Sequence, residues 1–187
     1  MKEKDVTPRP LWVFGYGSLL WKPGFEVAEA RLARLDGFRR RFCMWSIHHR
    51  GSVADPGLVL ALEPHDDGAC RGMAFRVEDA QADDVVAYLR ERELVSSAYV
   101  ETVLPLTLDD GQKIAALAYV MDPGHPQYTG DLSLERQAEI IAGATGGMGP
   151  NCEYLWNTAA HMREVGIEDD EVFWLSDRVA EMLDDRA

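Results

Sequence analysis

An α+β fold follows from three features of the chain. Its first two-thirds read as strands punctuated by turn residues, its last third reads as helices, and one helix interrupts the strands. Strands in a run followed by helices in a run mark α+β, whereas regular alternation would mark a doubly wound parallel sheet. At 187 residues the chain is most simply one domain over 11–187, behind a polar, flexible tail at 1–10. That length buries about two-thirds of the surface the unfolded chain exposes.

The opening strand is Trp12-Val13-Phe14, aromatic and β-branched residues that pack on a pleated surface. It breaks at Gly15 and Gly17, where positive φ is open to the backbone, and successive N–H groups in such a turn form an anion-binding nest. The apolar flank Leu19-Leu20-Trp21 makes the turn read as a pocket floor. Glu26–Leu35 and Phe38–Ile47 read as two strands of a hairpin joined at Asp36-Gly37. Leu58–Leu62 is a strand apolar on both faces, and Asp66-Asp67-Gly68 is expected to turn the chain into Cys70–Val77. Such successive strands point to an antiparallel sheet that curls or closes.

Glu78 and Asp79 open a helix at its positive end, with Val85, Val86 and Leu89 on its apolar face. Tyr99–Met121 is a hairpin around Asp109-Asp110-Gly111. In it Pro105 marks an edge or bulge, and Ile114–Met121 has the two apolar faces of a central strand. Helices are expected over Ser133–Ala142, Asn151–Val165 and Glu168–Leu183, with Gly143–Pro150 as a glycine-rich break. In the last helix Val172, Leu175, Val179 and Met182 form one stripe.

Composition narrows the function. A formal net charge of −13, from 19 basic and 32 acidic residues, argues against nucleic acid and anionic membrane as partners. The three cysteines are widely spaced and show no metal-ligand pattern, so reduced thiols in a cytoplasm are expected. The N-terminus has no apolar run of a signal peptide, and no segment reaches the ~20 apolar residues of a membrane helix. A soluble, cytoplasmic protein is the resulting expectation; the acidic charge does not identify a partner, and oligomeric state is left open.

Glu93 is the first candidate for chemistry. At about 100° per residue it lies roughly 40° from Leu89 and 20° from Val86, inside the apolar stripe. A carboxylate there costs several kcal/mol unless paired or protonated, and burial raises its pKa toward the range of a general base. Position alone leaves two readings: that base, or a structural ion pair with Arg92 or Arg90. Tyr99, at the start of the next strand, either points into the same pocket or belongs to the core. Ser18 lacks the flanking glycines of an esterase elbow, since Tyr16 and Leu20 stand there, and Leu20 also replaces the third glycine of a dinucleotide fingerprint. His48 and His49 are adjacent and would face opposite ways on a strand, which disfavours shared metal ligation. Arg50-Gly51 reads as a turn, with a substrate-side contact as the alternative. Cys43 reads as a small buried hydrophobe.

Several of these residues also carry a resemblance. Val13-Phe-Gly-Tyr-Gly-Ser-Leu19, continuing to Phe25, is similar to the substrate-loop signature of the ChaC-type γ-glutamylcyclotransferases. The likeness extends through Arg39–Cys43, His49-Arg-Gly51, Pro56–Leu60, Arg92-Glu93 with Tyr99, and Gly149–Leu155, nearly the whole chain. It implies a small mixed β-barrel with flanking helices, and cleavage of glutathione to 5-oxoproline and cysteinylglycine without cofactor or metal. On that pattern Glu93 is the catalytic acid/base, while Gly15, Tyr16, Gly17, Ser18, Leu19 and Leu20, with Tyr99, line the γ-glutamyl site. The form of Gly143–Met148 departs from the family pattern and leaves one helix junction open. Two other functions fit the same scaffold: a cyclotransferase for other γ-glutamyl amines or amino acids, and a catalytically silent binding domain.

Overall fold

The computed structural model describes residues 7–185. Most of the polar tail expected over 1–10, namely 1–6, lies outside the described residues, as do 186–187. Among the described residues five strands close into a barrel in the order β1-β3-β2-β4-β5, and four α-helices pack outside it. The strands are β1 (Trp12–Gly15), β2 (Glu29–Ser46), β3 (Gly57–Arg76), β4 (Tyr99–Leu108) and β5 (Lys113–Met121). Neighbours are antiparallel except β1 and β5, which close the barrel in parallel at Val13 and Leu117. The α+β class and the mixed barrel therefore stand.

Two expected turns are absent from where they were placed. Glu26–Leu35 and Phe38–Ile47 are not two arms of a hairpin but one strand, and residues 57–76 likewise run through Asp66-Asp67-Gly68 as one strand. The register jumps between Asp36↔Ala69 and Phe38↔Pro64, so Gly37 alone opposes residues 65–68. Gly37 has φ +81, the left-handed region that turn chemistry supplies. Here it serves a bulge, which bends a continuous strand around the barrel instead of reversing it.

The hairpin around Asp109–Gly111 is as expected, and Pro105 sits where β4 has no pairing to β2, which meets it only at Thr107 and Leu108. Helix α1 (Ala82–Glu93) buries Ala82, Val85, Val86 and Leu89 against Leu11, Val13, Leu117 and Tyr119 of the barrel wall. Helices α2 (Leu134–Gly143), α3 (Asn151–Val165) and α4 (Asp170–Asp184) pack on the opposite side, over Phe42, Leu58 and Leu60. Ser133 and Asp169 cap α2 and α4 by accepting from Arg136 N and Val172 N. The glycine-rich break is a two-rung hairpin, β6 (Thr145–Gly146) with β7 (Gly149–Pro150). No helix among the described residues is long and apolar enough to cross a membrane.

Candidate active site

A cavity of about 470 Å³ opens where β1, the ends of β2 and α1, and the start of α3 converge. That volume is within the usual range for small-molecule sites, about 300–1,000 Å³. Its wall includes Tyr16, Gly17, Ser18 and Leu19 from the turn after β1, and Glu93 and Tyr99 from across the cavity. Residues distant in sequence are thus brought together. Gly15 and Leu20 are not on the wall. Leu20 is 3% exposed and packs with Phe42, Leu58, Leu60 and Tyr154.

The turn is a short 3₁₀ segment, Ser18–Leu20, closed by Leu20 N–H donating to Gly17 O at 2.9 Å. Neither Gly15 nor Gly17 takes a positive φ, so that expectation is corrected. Glycine is required at position 15 for a different reason: a Cβ there would stand 2.7 Å from the Phe75 ring. The first N–H groups of a helical turn have no acceptor within it, so Ser18 and Leu19 bring unpaired donors to the cavity wall.

Glu93 closes the apolar stripe of α1, and its side chain is 16% exposed. Burial pushes its pKa up, and the nearby Arg92 guanidinium offsets this only in part. Both readings of the sequence are thus present at once. Arg92 Nε lies 3.1 Å from Glu93 Oε1, yet desolvation outweighs the pair. Arg92 is otherwise committed to structure. It donates to Ser18 Oγ at 2.9 Å, to the carbonyls of Lys22 and Pro23, and to the Tyr88 hydroxyl. One guanidinium therefore sets the distance between turn and carboxylate, a role that sequence reasoning missed.

Tyrosines fill the space around the carboxylate. Tyr16 donates to Tyr119 O at 2.7 Å and Tyr99 donates to Leu60 O at 3.0 Å. Tyr154 instead accepts from Leu60 N–H at 3.3 Å, which leaves its own hydrogen to donate. Burial raises the pKa of all three, so each remains a neutral hydroxyl. Tyr154 comes from α3, far along the chain, and only its place in the family-like Gly149–Leu155 motif marked it in the sequence. His48 and His49 are exposed on the loop after β2. Among the described residues no three His, Cys, Asp or Glu side chains are grouped to hold a metal ion.

The family model of the ChaC-like proteins matches residues 11–182. This chain belongs to the ChaC-like family. It is 36% identical over 161 residues to the glutathione-specific γ-glutamylcyclotransferase of Escherichia coli, across 86% of this chain and 69% of that one. With the Homo sapiens glutathione-specific γ-glutamylcyclotransferase 1 it shares 36% identity over 184 residues, across 96% and 82%. The Schizosaccharomyces pombe glutathione-specific enzyme is 35% identical over 187 residues, across 90% and 91%. A crystal structure of the yeast γ-glutamyl cyclotransferase specific to glutathione matches with a TM-score of 0.82, covering 91% of this ChaC-like chain and 96% of the yeast one. At 23% identity that match establishes the shared fold.

Proposed function

We propose that this ChaC-like protein is a glutathione-specific γ-glutamylcyclotransferase, cleaving glutathione to 5-oxo-L-proline and L-cysteinylglycine. The observation that carries the reading is the Glu93 carboxylate, buried with a raised pKa at the wall of a cavity faced by the Ser18–Leu20 turn. The names of relatives at 35–36% identity support the choice of substrate.

The reaction is an intramolecular aminolysis. The substrate's α-amine attacks its own γ-carbonyl, a C–N bond closes the five-membered ring, and the bond to cysteine nitrogen breaks. Glu93 takes the proton from the attacking amine and returns one to the departing nitrogen, so no hydrolytic water is consumed. Folding the glutamyl arm into a ring-closing geometry is a proximity effect, capable of several kcal/mol. The donors at Ser18, Leu19 and the Tyr154 hydroxyl face the γ-glutamyl group, with Tyr16 and Tyr99 as its walls. In this reading the enzyme is a cytoplasmic lyase without cofactor or metal, and its partner is the small-molecule substrate.

Incubation of the purified protein with glutathione, followed by assay of 5-oxoproline, tests the proposal. Release of 5-oxoproline is expected, and Glu93→Gln should slow it by about 10²–10⁴-fold, the usual contribution of a positioned acid/base. No 5-oxoproline from glutathione overturns the reaction, and γ-glutamyl-alanine turned over at a matching rate overturns the specificity.

A further inference from the structure

Arg50 lines the same cavity as Tyr154 and the turn, and the cyclotransferase mechanism does not use it. Its side chain is 7% exposed. Nη1 donates to Pro150 O at 3.1 Å, and the nearest carboxylate, Glu153 Oε2, is 3.7 Å away on a side chain 56% exposed. Nε and Nη2 have no acceptor among the described residues. Neither atom is sealed away from the cavity, so an anion bound there would meet two donors of a guanidinium that the protein itself does not satisfy.

The backbone around Arg50 is held as a binding element is. Its N–H donates to Ser46 Oγ at 3.0 Å. Gly147 N–H and Met148 N–H donate to His48 O and His49 O at 2.8 Å each. Gly146 lies so close that a Cβ would stand 2.5 Å from Arg50 N, which requires glycine at that position.

Tyr154 lies between the two groups along the wall, its hydroxyl near the turn and its ring near Arg50. A Cβ on Gly17 would lie 3.2 Å from its hydroxyl, whereas Arg50 Cζ is 5.9 Å from the ring centroid. With the γ-glutamyl end at the turn and Glu93, Arg50 is the buried cavity cation left to meet the other end of the substrate. Two extended residues span about 7 Å, which is the reach from the γ-carbonyl to the end of a tripeptide.

We propose that Arg50 binds the distal, glycine-end carboxylate of the substrate, and so selects a γ-glutamyl tripeptide over shorter γ-glutamyl amines and amino acids. The inference rests on the cyclotransferase reading for its substrate, but its test does not need turnover. Calorimetry with the Glu93→Gln protein measures binding of intact glutathione and of glutathione amidated at the glycine carboxylate. The amide should bind about 10- to 100-fold more weakly, as loss of a charge-assisted hydrogen bond predicts. Adding Arg50→Gln should bring the two ligands within about twofold, and Arg50→Lys should fall between. The amide arm needs no change at Arg50, so a misfolded variant would not blunt the test. Equal binding of acid and amide overturns the proposal. So does an Arg50→Gln effect of the same size on both, which would place the arginine on the α-carboxylate. If the native protein releases no 5-oxoproline while the acid–amide difference holds, the reaction assignment fails and the carboxylate site stands.

Discussion

Glu93 takes the next step of the stripe that Val86 and Leu89 begin, so the geometry that buries α1 also carries a carboxylate to the cavity wall. Its raised pKa has a stability consequence of known sign. A carboxyl whose folded pKa lies above its ordinary value of about 4.3 contributes stability that is full below that pH. The contribution is lost as pH rises through the folded pKa. At pH 7 the ionised side chain is therefore a burden on the fold, and the neutral isostere in Glu93→Gln relieves it. Arg92 keeps its bonds to Ser18, Lys22, Pro23 and Tyr88 in that variant. Thermal melts should show Glu93→Gln with a Tm above the native protein at pH 7, the gap closing below about pH 4. A lower Tm at pH 7 would show that the Arg92 pair, not desolvation, governs this carboxyl. The acid limb of kcat/KM should likewise lie above the ordinary glutamate range.

At the level of elements, the readable features were those decided locally. The stripe of α1, the bounds of α3 and the turn after β1 depend on a few neighbouring residues. The long strands β2 and β3 do not, because Asp36-Gly37 has the chemistry of a reversal and only its partner strand decides between turn and bulge. Tyr154 was opaque for the same reason, and for Arg50 the choice between turn and substrate-side contact stayed open: the positions of both at the cavity are set by packing between α3, the β6–β7 hairpin and the barrel. The β2–β3 pair also holds a buried ionic cluster. Glu63 on β3 is 3% exposed and accepts from Arg39 Nε at 2.6 Å, Arg41 Nη1 at 3.2 Å and the Tyr128 hydroxyl at 2.8 Å. Burial opposes its ionisation, but these donors outweigh burial and its pKa is lowered. Its contribution is thus present above about pH 4.3 and lost as pH falls through the folded value. Removing one member of a buried pair costs about 3–5 kcal/mol. Glu63→Gln should cost near 3 kcal/mol, the lower end of that range, because Asp131 still holds Arg41 at 2.8 Å. Urea unfolding at pH 7 and pH 3 checks this: the deficit should be large at the first and shrink at the second.

For the whole molecule, the question is how helices on one side of the barrel bear on a turn inside the cavity. Arg40 is the link. Its side chain is 2% exposed; Nε and Nη2 meet Asp169 Oδ2 at 3.0 and 2.9 Å, and Nη1 donates to Tyr16 O at 3.1 Å and Arg71 O at 2.8 Å. Asp169 is also the N-cap of α4, accepting from Val172 N at 3.0 Å. One carboxylate thus starts the last helix and anchors the arginine that holds the backbone beside the Ser18–Leu20 turn. Asp169→Asn retains a capping oxygen but leaves Arg40 buried without its counter-charge, which should cost about 3–5 kcal/mol. Adding Arg40→Met removes the stranded charge, and the double variant should recover part of that loss while leaving the Tyr16 and Arg71 carbonyls short of a donor. Both variants should raise KM for glutathione more than they lower kcat, since the turn shifts while Glu93 stays on α1. Denaturant unfolding gives the coupling energy and steady-state kinetics the split. An Asp169→Asn variant as stable as the native protein, with unchanged KM, would mean that α4 is tied to the barrel by its apolar stripe alone, with the site insulated from it.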